Sequence, residues 1–190
     1  MASKPTKART QDAHPLVCLV GFMGAGKSTV GKLLAVSTGR RFFDLDEVVE
    51  ARERAAVSKI FSRSGQAAFR NAETEALKDL LHQSRIESIV LAVGGGAFVQ
   101  PENVAILRES AATTVFLSAS AEELWQRCHN GANPENRPLL RDLAAFKHLY
   151  TERLRHYQKA AFQVDSSGKA PAALATEIVS LLGIASKKRA

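Results

Sequence analysis

Three groups of residues in this chain have the types and spacing for phosphate chemistry. Gly21-Phe-Met-Gly-Ala-Gly-Lys-Ser-Thr29 puts Gly21, Gly26, Lys27 and Ser28 at the fixed positions of G-x-x-x-x-G-K-[ST]. Glycines adopt positive φ without a steric penalty, so this backbone can turn its N–H groups around an anion, and Gly24 adds further freedom. Lys27 is long enough to reach the β/γ-phosphates of a nucleotide, and Ser28 offers a hydroxyl to Mg²⁺. Asp44 and Asp46 stand two residues apart in Arg41-Phe-Phe-Asp-Leu-Asp46. Read as a strand, this segment brings both carboxylates out on one face. The third group is Gly94-Gly-Gly96 with the arginines 70, 137 and 153. A phosphate cradle alone marks a nucleotide site, not a reaction. Transfer to water needs a water-positioning group, whereas a kinase needs a second pocket for an acceptor.

Alternating elements are required to hold these groups. The apolar run Leu16 to Val20 leads into the glycine loop, and a helix with Val30, Leu33 and Leu34 on one side follows, closing at Gly39. One or two short helices are expected in 47–64, interrupted at Ser64-Gly65, then a strong helix over 67–81 with Phe69, Ala76, Leu77 and Leu80 facing a core. Arg70 and Glu73 are one turn apart on it. Ile89 to Val93 reads as a strand buried on both faces, 103–109 as a helix and Thr114 to Leu117 as a strand. Ser120 and Glu123 have capping-box spacing for the helix carrying Leu124, Trp125 and Arg127. The Asn-, Gly- and Pro-rich stretch between His129 and Arg141 reads as a mobile loop, followed by a helix over 146–159, a strand Phe162 to Asp165 and a helix 171–182. This order predicts a three-layer α/β/α fold: a parallel sheet flanked by helices, with ligands at the carboxyl ends of the strands.

The chain has 190 residues, 45% hydrophobic and 24% charged, which suits one globular domain and excludes disordered and collagen-like classes. Its net charge of +7 invites a nucleic-acid reading, but residues 1–14 carry +2 and 186–190 carry +3, leaving +2 for the body. We therefore expect a basic leader (1–14), one domain (15–185) and a basic tail (186–190), with no nucleic-acid partner. Cys18 and Cys128 lack partners for a zinc or disulfide framework and read as reduced thiols of a cytoplasmic protein. Cys18 falls in the buried first strand and Cys128 near a loop. The five histidines show no ligand spacing. No segment is long enough to span a membrane. The size and single-domain pattern suit a monomer.

The motifs together resemble those of shikimate kinases. The phosphate loop, Phe43-Asp-Leu-Asp46, Gly65-Gln-Ala-Ala-Phe-Arg70-x-x-Glu73, Gly94-Gly-Gly96, Arg137-Pro-Leu-Leu140 and Glu152-Arg153-x-x-x-Tyr157 follow the family's order over residues 15 to 183. The resemblance implies a P-loop kinase fold with a lid at about 129–141, an acceptor-binding region at about 46–81, and transfer of the γ-phosphoryl group of ATP to the 3-hydroxyl of shikimate. Gly24, Ala25, Gly26, Lys27, Ser28 and Thr29 would hold the ATP phosphates. Ser28 would ligate Mg²⁺, with Asp44 supporting it. Asp46 would take or orient the hydroxyl proton. Arg70, oriented by Glu73, and Arg153 would clamp the substrate carboxylate, alongside backbone N–H groups of Gly94, Gly95 and Gly96. Arg137 would close over the nucleotide and neutralise charge on the transferred group. Arg127 falls in the region that flanks adenine in relatives.

Plainer roles stand beside these. Asp46 alternatively caps the next helix, worth about 1 kcal/mol. Arg70 alternatively pairs with Glu73 on a solvated helix, worth about 0.2–0.5 kcal/mol. Gly94 to Gly96 alternatively form a simple turn, and Arg137 a solvated charge. Arg141, Arg153 and Arg155 are similar neighbours among which helix phase does not choose; the spacing to Tyr157 favours Arg153. The chain also departs from the family pattern, with Gln66 where Glu is usual, Arg155 where Pro is usual, and a longer loop before Arg137. The rival activities are a kinase for another small acid such as gluconate, a silent relative acting as a binding module, and a nucleic-acid-associated NTPase.

Overall fold

Leu16–Val20 carries no charged side chain and is buried along its whole length, as a strand covered on both faces must be. It is the central strand, β1, of a five-stranded sheet in a computed structural model that describes residues 14–130 and 142–187. Ile89–Ala92 (β3) pairs with it in parallel on one side, Leu16 opposite Ile89, and Thr113–Ser118 (β4) on the other, Val17 opposite Thr113. Arg41–Asp44 (β2) and Phe162–Asp165 (β5) complete the order β2-β3-β1-β4-β5, with every pairing parallel. Helices flank this sheet in the expected three-layer arrangement: α1 (Lys27–Thr38), α2 (Leu45–Glu53), α3 (Val57–Ser84), α4 (Pro101–Glu109), α5 (Ala121–His129), α6 (Leu143–Tyr157) and α7 (Pro171–Leu182). No helix among the described residues is long and apolar enough to cross a membrane.

The phosphate loop is anchored from below by an aromatic cluster. Phe22 is fully buried and meets Phe146 edge-on at 5.0 Å and Tyr150 at 5.5 Å, while Trp125 meets Phe146 at 5.1 Å. Edge-to-face pairs add about 0.5–1.5 kcal/mol each beyond their buried area, so the loop, α5 and α6 are bound into one unit. Gly26 then takes a left-handed conformation (φ 82°) at the N-cap of α1, a geometry that strongly favours glycine.

Several boundaries differ from the sequence-based expectations. The strand expected to carry both Asp44 and Asp46 ends at Asp44. The Asp44 side chain accepts the Asp46 N–H at 3.1 Å and so starts α2, with Asp46 in its first turn. An N-cap interaction overrides the strand alternation, and the capping role entertained for Asp46 belongs to Asp44. The interruption expected at Ser64-Gly65 is present: Gly65 is non-helical (φ 78°, ψ 173°), and α3 consists of two helical pieces that meet at a kink there. Ser120 accepts from Glu123 N–H as expected, but the Glu123 carboxylate turns away to Arg127 and to the Gly168 N–H instead of closing the capping box. Cys128 is buried in the last turn of α5, one residue before that helix ends at His129. The expected loop at 131–141, with Arg137 and Arg141, lies outside the described residues.

Candidate active site

At the carboxyl ends of β1, β2 and β3 the chain forms an open cavity of about 1160 Å³. Gly24, Gly26, Lys27, Ser28, Thr29, Asp44, Asp46, Arg70, Gly94, Gly95, Gly96, Arg127 and Arg153 all line it. Ala25 is buried behind the loop. Arg153 faces the cavity although Arg155 stands where proline is usual, because α6 is continuous through both.

On the donor side, Lys27 Nζ donates to Gly21 O at 2.9 Å and to Phe22 O at 3.0 Å, which holds the ammonium across the loop. Ser28 Oγ donates to Asp44 Oδ2 at 2.5 Å. A hydroxyl and a carboxylate in contact are hard oxygen donors, the chemistry Mg²⁺ prefers, and loop, lysine and helix N-terminus suit a polyphosphate. The residues present therefore fit Mg²⁺ and a nucleotide. Arg127 extends from α5 and donates to Ser166 Oγ at 3.0 Å, Ser166 O at 2.6 Å and Glu123 Oε1 at 2.6 Å. Glu123 also accepts from Gly168 N–H at 3.0 Å, so the pair pins the connection between β5 and α7 to the cavity wall.

On the acceptor side, burial is the main cause that raises the Asp46 pKa above the ordinary carboxylate range. The charge of Asp44 adds to it, and Lys27 and Arg70 partly offset it. Such a shift moves a carboxylate towards the protonation range in which it can accept a proton at neutral pH. Arg70 pairs with Glu73, whose side chain is 1% exposed. Burial pushes the Glu73 carboxyl up to about 7 despite the opposing pull of Arg70. Arg70 Nε is buried with no hydrogen-bond partner among the described residues.

The glycine triplet owes its composition to space. None of the three has positive φ. A Cβ on Gly94 would stand 2.8 Å from Asp46 Oδ1 and 3.1 Å from Glu73 Oε1, and one on Gly96 would stand 2.3 Å from Arg70 Nη2. The backbone thus packs directly against the acidic and basic side chains, which a simple turn would not require. Sequence reasoning missed other lining residues. Glu50 accepts the Val57 N–H at 2.8 Å and joins α2 to α3. Phe61 stacks on Phe69 with ring centroids 4.6 Å apart, and the Cys128 thiol lies against Gly24. Glu50 and Phe61 fall within the helical stretch 47–64, but nothing in their spacing marks them as facing a ligand.

A family model described as shikimate kinase matches residues 23–183. The chain belongs to the shikimate kinase family. A shikimate kinase from Nitrosomonas europaea is 40% identical over 173 residues, covering 88% of this chain and 79% of that one. Among solved structures, shikimate kinase from Acinetobacter baumannii in complex with shikimate is 34% identical with a TM-score of 0.81, covering 90% of this chain and 94% of that one. A gluconokinase from Sinorhizobium meliloti reaches a TM-score of 0.60 at 19% identity, covering 88% and 91% of the two chains, and shares the fold alone. Family membership therefore separates this chain from the gluconate-kinase rival, which architecture by itself does not.

Proposed function

We propose that this chain transfers the γ-phosphoryl group of ATP to the 3-hydroxyl of shikimate, giving shikimate 3-phosphate and ADP on the chorismate route to aromatic amino acids. The observation that carries the reading is a single cavity with two chemistries. A phosphate loop with a Ser–Asp oxygen pair shares that cavity with the Asp46 carboxylate, whose pKa is raised by burial, and with the guanidinium groups of Arg70 and Arg153.

In this reading Lys27 and the backbone from Gly24 to Thr29 hold the ATP phosphates, and Ser28 with Asp44 holds Mg²⁺. Bound Mg²⁺ would neutralise charge on the β- and γ-oxygens. Asp46 accepts the proton of the 3-hydroxyl or orients it, the oxygen attacks the γ-phosphorus, and ADP leaves. Arg70 and Arg153 clamp the substrate carboxylate, since a guanidinium fork matches that anion, and Gly94 to Gly96 present backbone N–H groups at close range. Arg127 flanks the adenine, a role supported by its anchorage to Ser166 at the cavity wall. The assignments of Arg137 to charge neutralisation and of 129–141 to a lid rest on the Arg137-Pro-Leu-Leu140 motif.

The same reading takes residues 15–185 as one catalytic domain between two basic ends, acting as a cytoplasmic monomer without a nucleic-acid partner. Two buried cysteines that form no disulfide among the described residues, and the concentration of charge at the ends, support it. ³¹P NMR of the product of a reaction with ATP, Mg²⁺ and shikimate tests the reaction: one phosphomonoester at the 3-oxygen is expected, and phosphorylation elsewhere or free phosphate alone overturns it.

A further inference from the structure

Tyr157 closes α6 and is fully buried, its ring tilted against Phe116 with centroids 5.5 Å apart. Its hydroxyl donates to Gly95 O at 2.6 Å, and a Cβ on Gly95 would stand 3.3 Å from that hydroxyl and 3.8 Å from Arg153 Nη1, so the three groups meet at one point. Arg153 and Tyr157 are four residues apart on α6, so their side chains lie on one face of the helix. Any buried tyrosine needs a partner for its O–H, and a core carbonyl anywhere would serve. Here both Gly95 and Arg153 belong to the acceptor end of the cavity. The same Cβ would stand 3.5 Å from Gly21 O, the carbonyl that receives Lys27 Nζ, so Gly95 also packs beside the phosphate loop.

We propose that Tyr157 is a positioning residue of the acceptor site: its hydroxyl sets the Gly94–Gly96 loop and the Arg153 guanidinium relative to one another, so that a substrate carboxylate meets a preassembled pair of donors. The inference rests on the shikimate reading above. Preassembly acts on affinity, because side chains held in place before binding lose less freedom when the ligand arrives. Without the hydroxyl, Gly95 O loses its donor and Arg153 loses a polar neighbour, while the phosphate loop keeps its own hydrogen bonds.

Tyr157→Phe retains the ring and removes only the hydroxyl. With both substrates varied, KM for shikimate is expected to rise about tenfold while kcat and KM for ATP stay within about twofold, the scale of one lost hydrogen bond to a charged group. Added to Arg153→Lys, the same substitution is expected to cost less than it does alone, since the two act through one contact. An unchanged KM for shikimate, a parallel rise in both KM values, or full additivity with Arg153→Lys overturns the proposal. Should Tyr157→Phe fail to fold, Gly95→Ala probes the same contact from the other side, with its Cβ 3.3 Å from the hydroxyl. A selective rise in KM for shikimate is expected there too, and an unchanged value overturns the proposal. A folded parent protein with no shikimate turnover would instead refute the activity reading, and this inference with it.

Discussion

Asp44 holds Asp46 in place: its Oδ1 accepts the Asp46 backbone N–H at 3.1 Å, while its Oδ2 accepts from Ser28 at 2.5 Å. One carboxylate thus joins the end of β2, the start of α2 and the first turn of α1. Asp44→Ala should lower stability by about 1 kcal/mol through loss of the cap, read as a shift in the urea midpoint, and should also raise the Mg²⁺ concentration needed for half-maximal activity. Asp44→Asn separates the two effects, because asparagine caps well but is a neutral metal donor. We expect near-parental stability with the raised Mg²⁺ requirement.

The glycine triplet gives a second prediction. Gly96→Ala drives a methyl group into the Arg70 guanidinium, so kcat/KM for shikimate should fall by about 10- to 100-fold, the scale of a misplaced binding group, with KM for ATP within about twofold. Gly94→Ala displaces Asp46 and Glu73 and should act mainly on kcat. Steady-state kinetics of the two variants side by side would show the split.

Glu73 predicts a pH dependence of stability. Its carboxyl titrates at about 7 in the folded protein against an ordinary 4.5. Between those values the folded state binds more protons than the unfolded one, so the contribution is complete below 4.5 and is lost as pH rises through 7. Glu73→Gln abolishes that titration. The stability advantage of the parent over Glu73→Gln, measured by urea unfolding, should therefore shrink between about pH 5 and about pH 8. An advantage that grows over the same range would mean that the Arg70 ion pair outweighs burial.

Two further substitutions separate the donor and acceptor halves. Asp46→Asn should reduce kcat by at least about 100-fold, the range of a lost proton acceptor, with little change in nucleotide affinity measured by calorimetry. Lys27→Ala should damage turnover and nucleotide affinity together, because its ammonium bridges Gly21 O and Phe22 O and shapes the loop itself.

Much of this was legible in the sequence because it is written in local patterns. The apolar run of β1, the glycine loop, the closure of α1 at Gly39 and the Pro171 start of α7 depend on residues adjacent in the chain, and each element appears where those residues require it. What escaped depends on contacts across the fold. Alternation put Asp46 on a strand, but a cap from Asp44 put it on a helix. The triplet at 94–96 was legible as a binding element, but its reason, the close packing of Asp46, Glu73 and Arg70 against it, was not. Glu123 reads as half of a capping box until Arg127 and Gly168 are seen to take its carboxylate. Arg153 is favoured over Arg155 in the sequence by its spacing to Tyr157 alone, and the docking of α6 supplies the physical reason by turning Arg153 to the cavity.

The central claim is that the two halves of the cavity form one phosphoryl-transfer site specific for shikimate. Coupled measurement of ADP release by the purified protein with ATP and Mg²⁺, in the presence of shikimate, of gluconate, or of no acceptor, tests it most directly. We predict ADP in step with shikimate consumed and only background release in the other two reactions. A folded protein that binds ATP but shows no shikimate-dependent release would contradict the account.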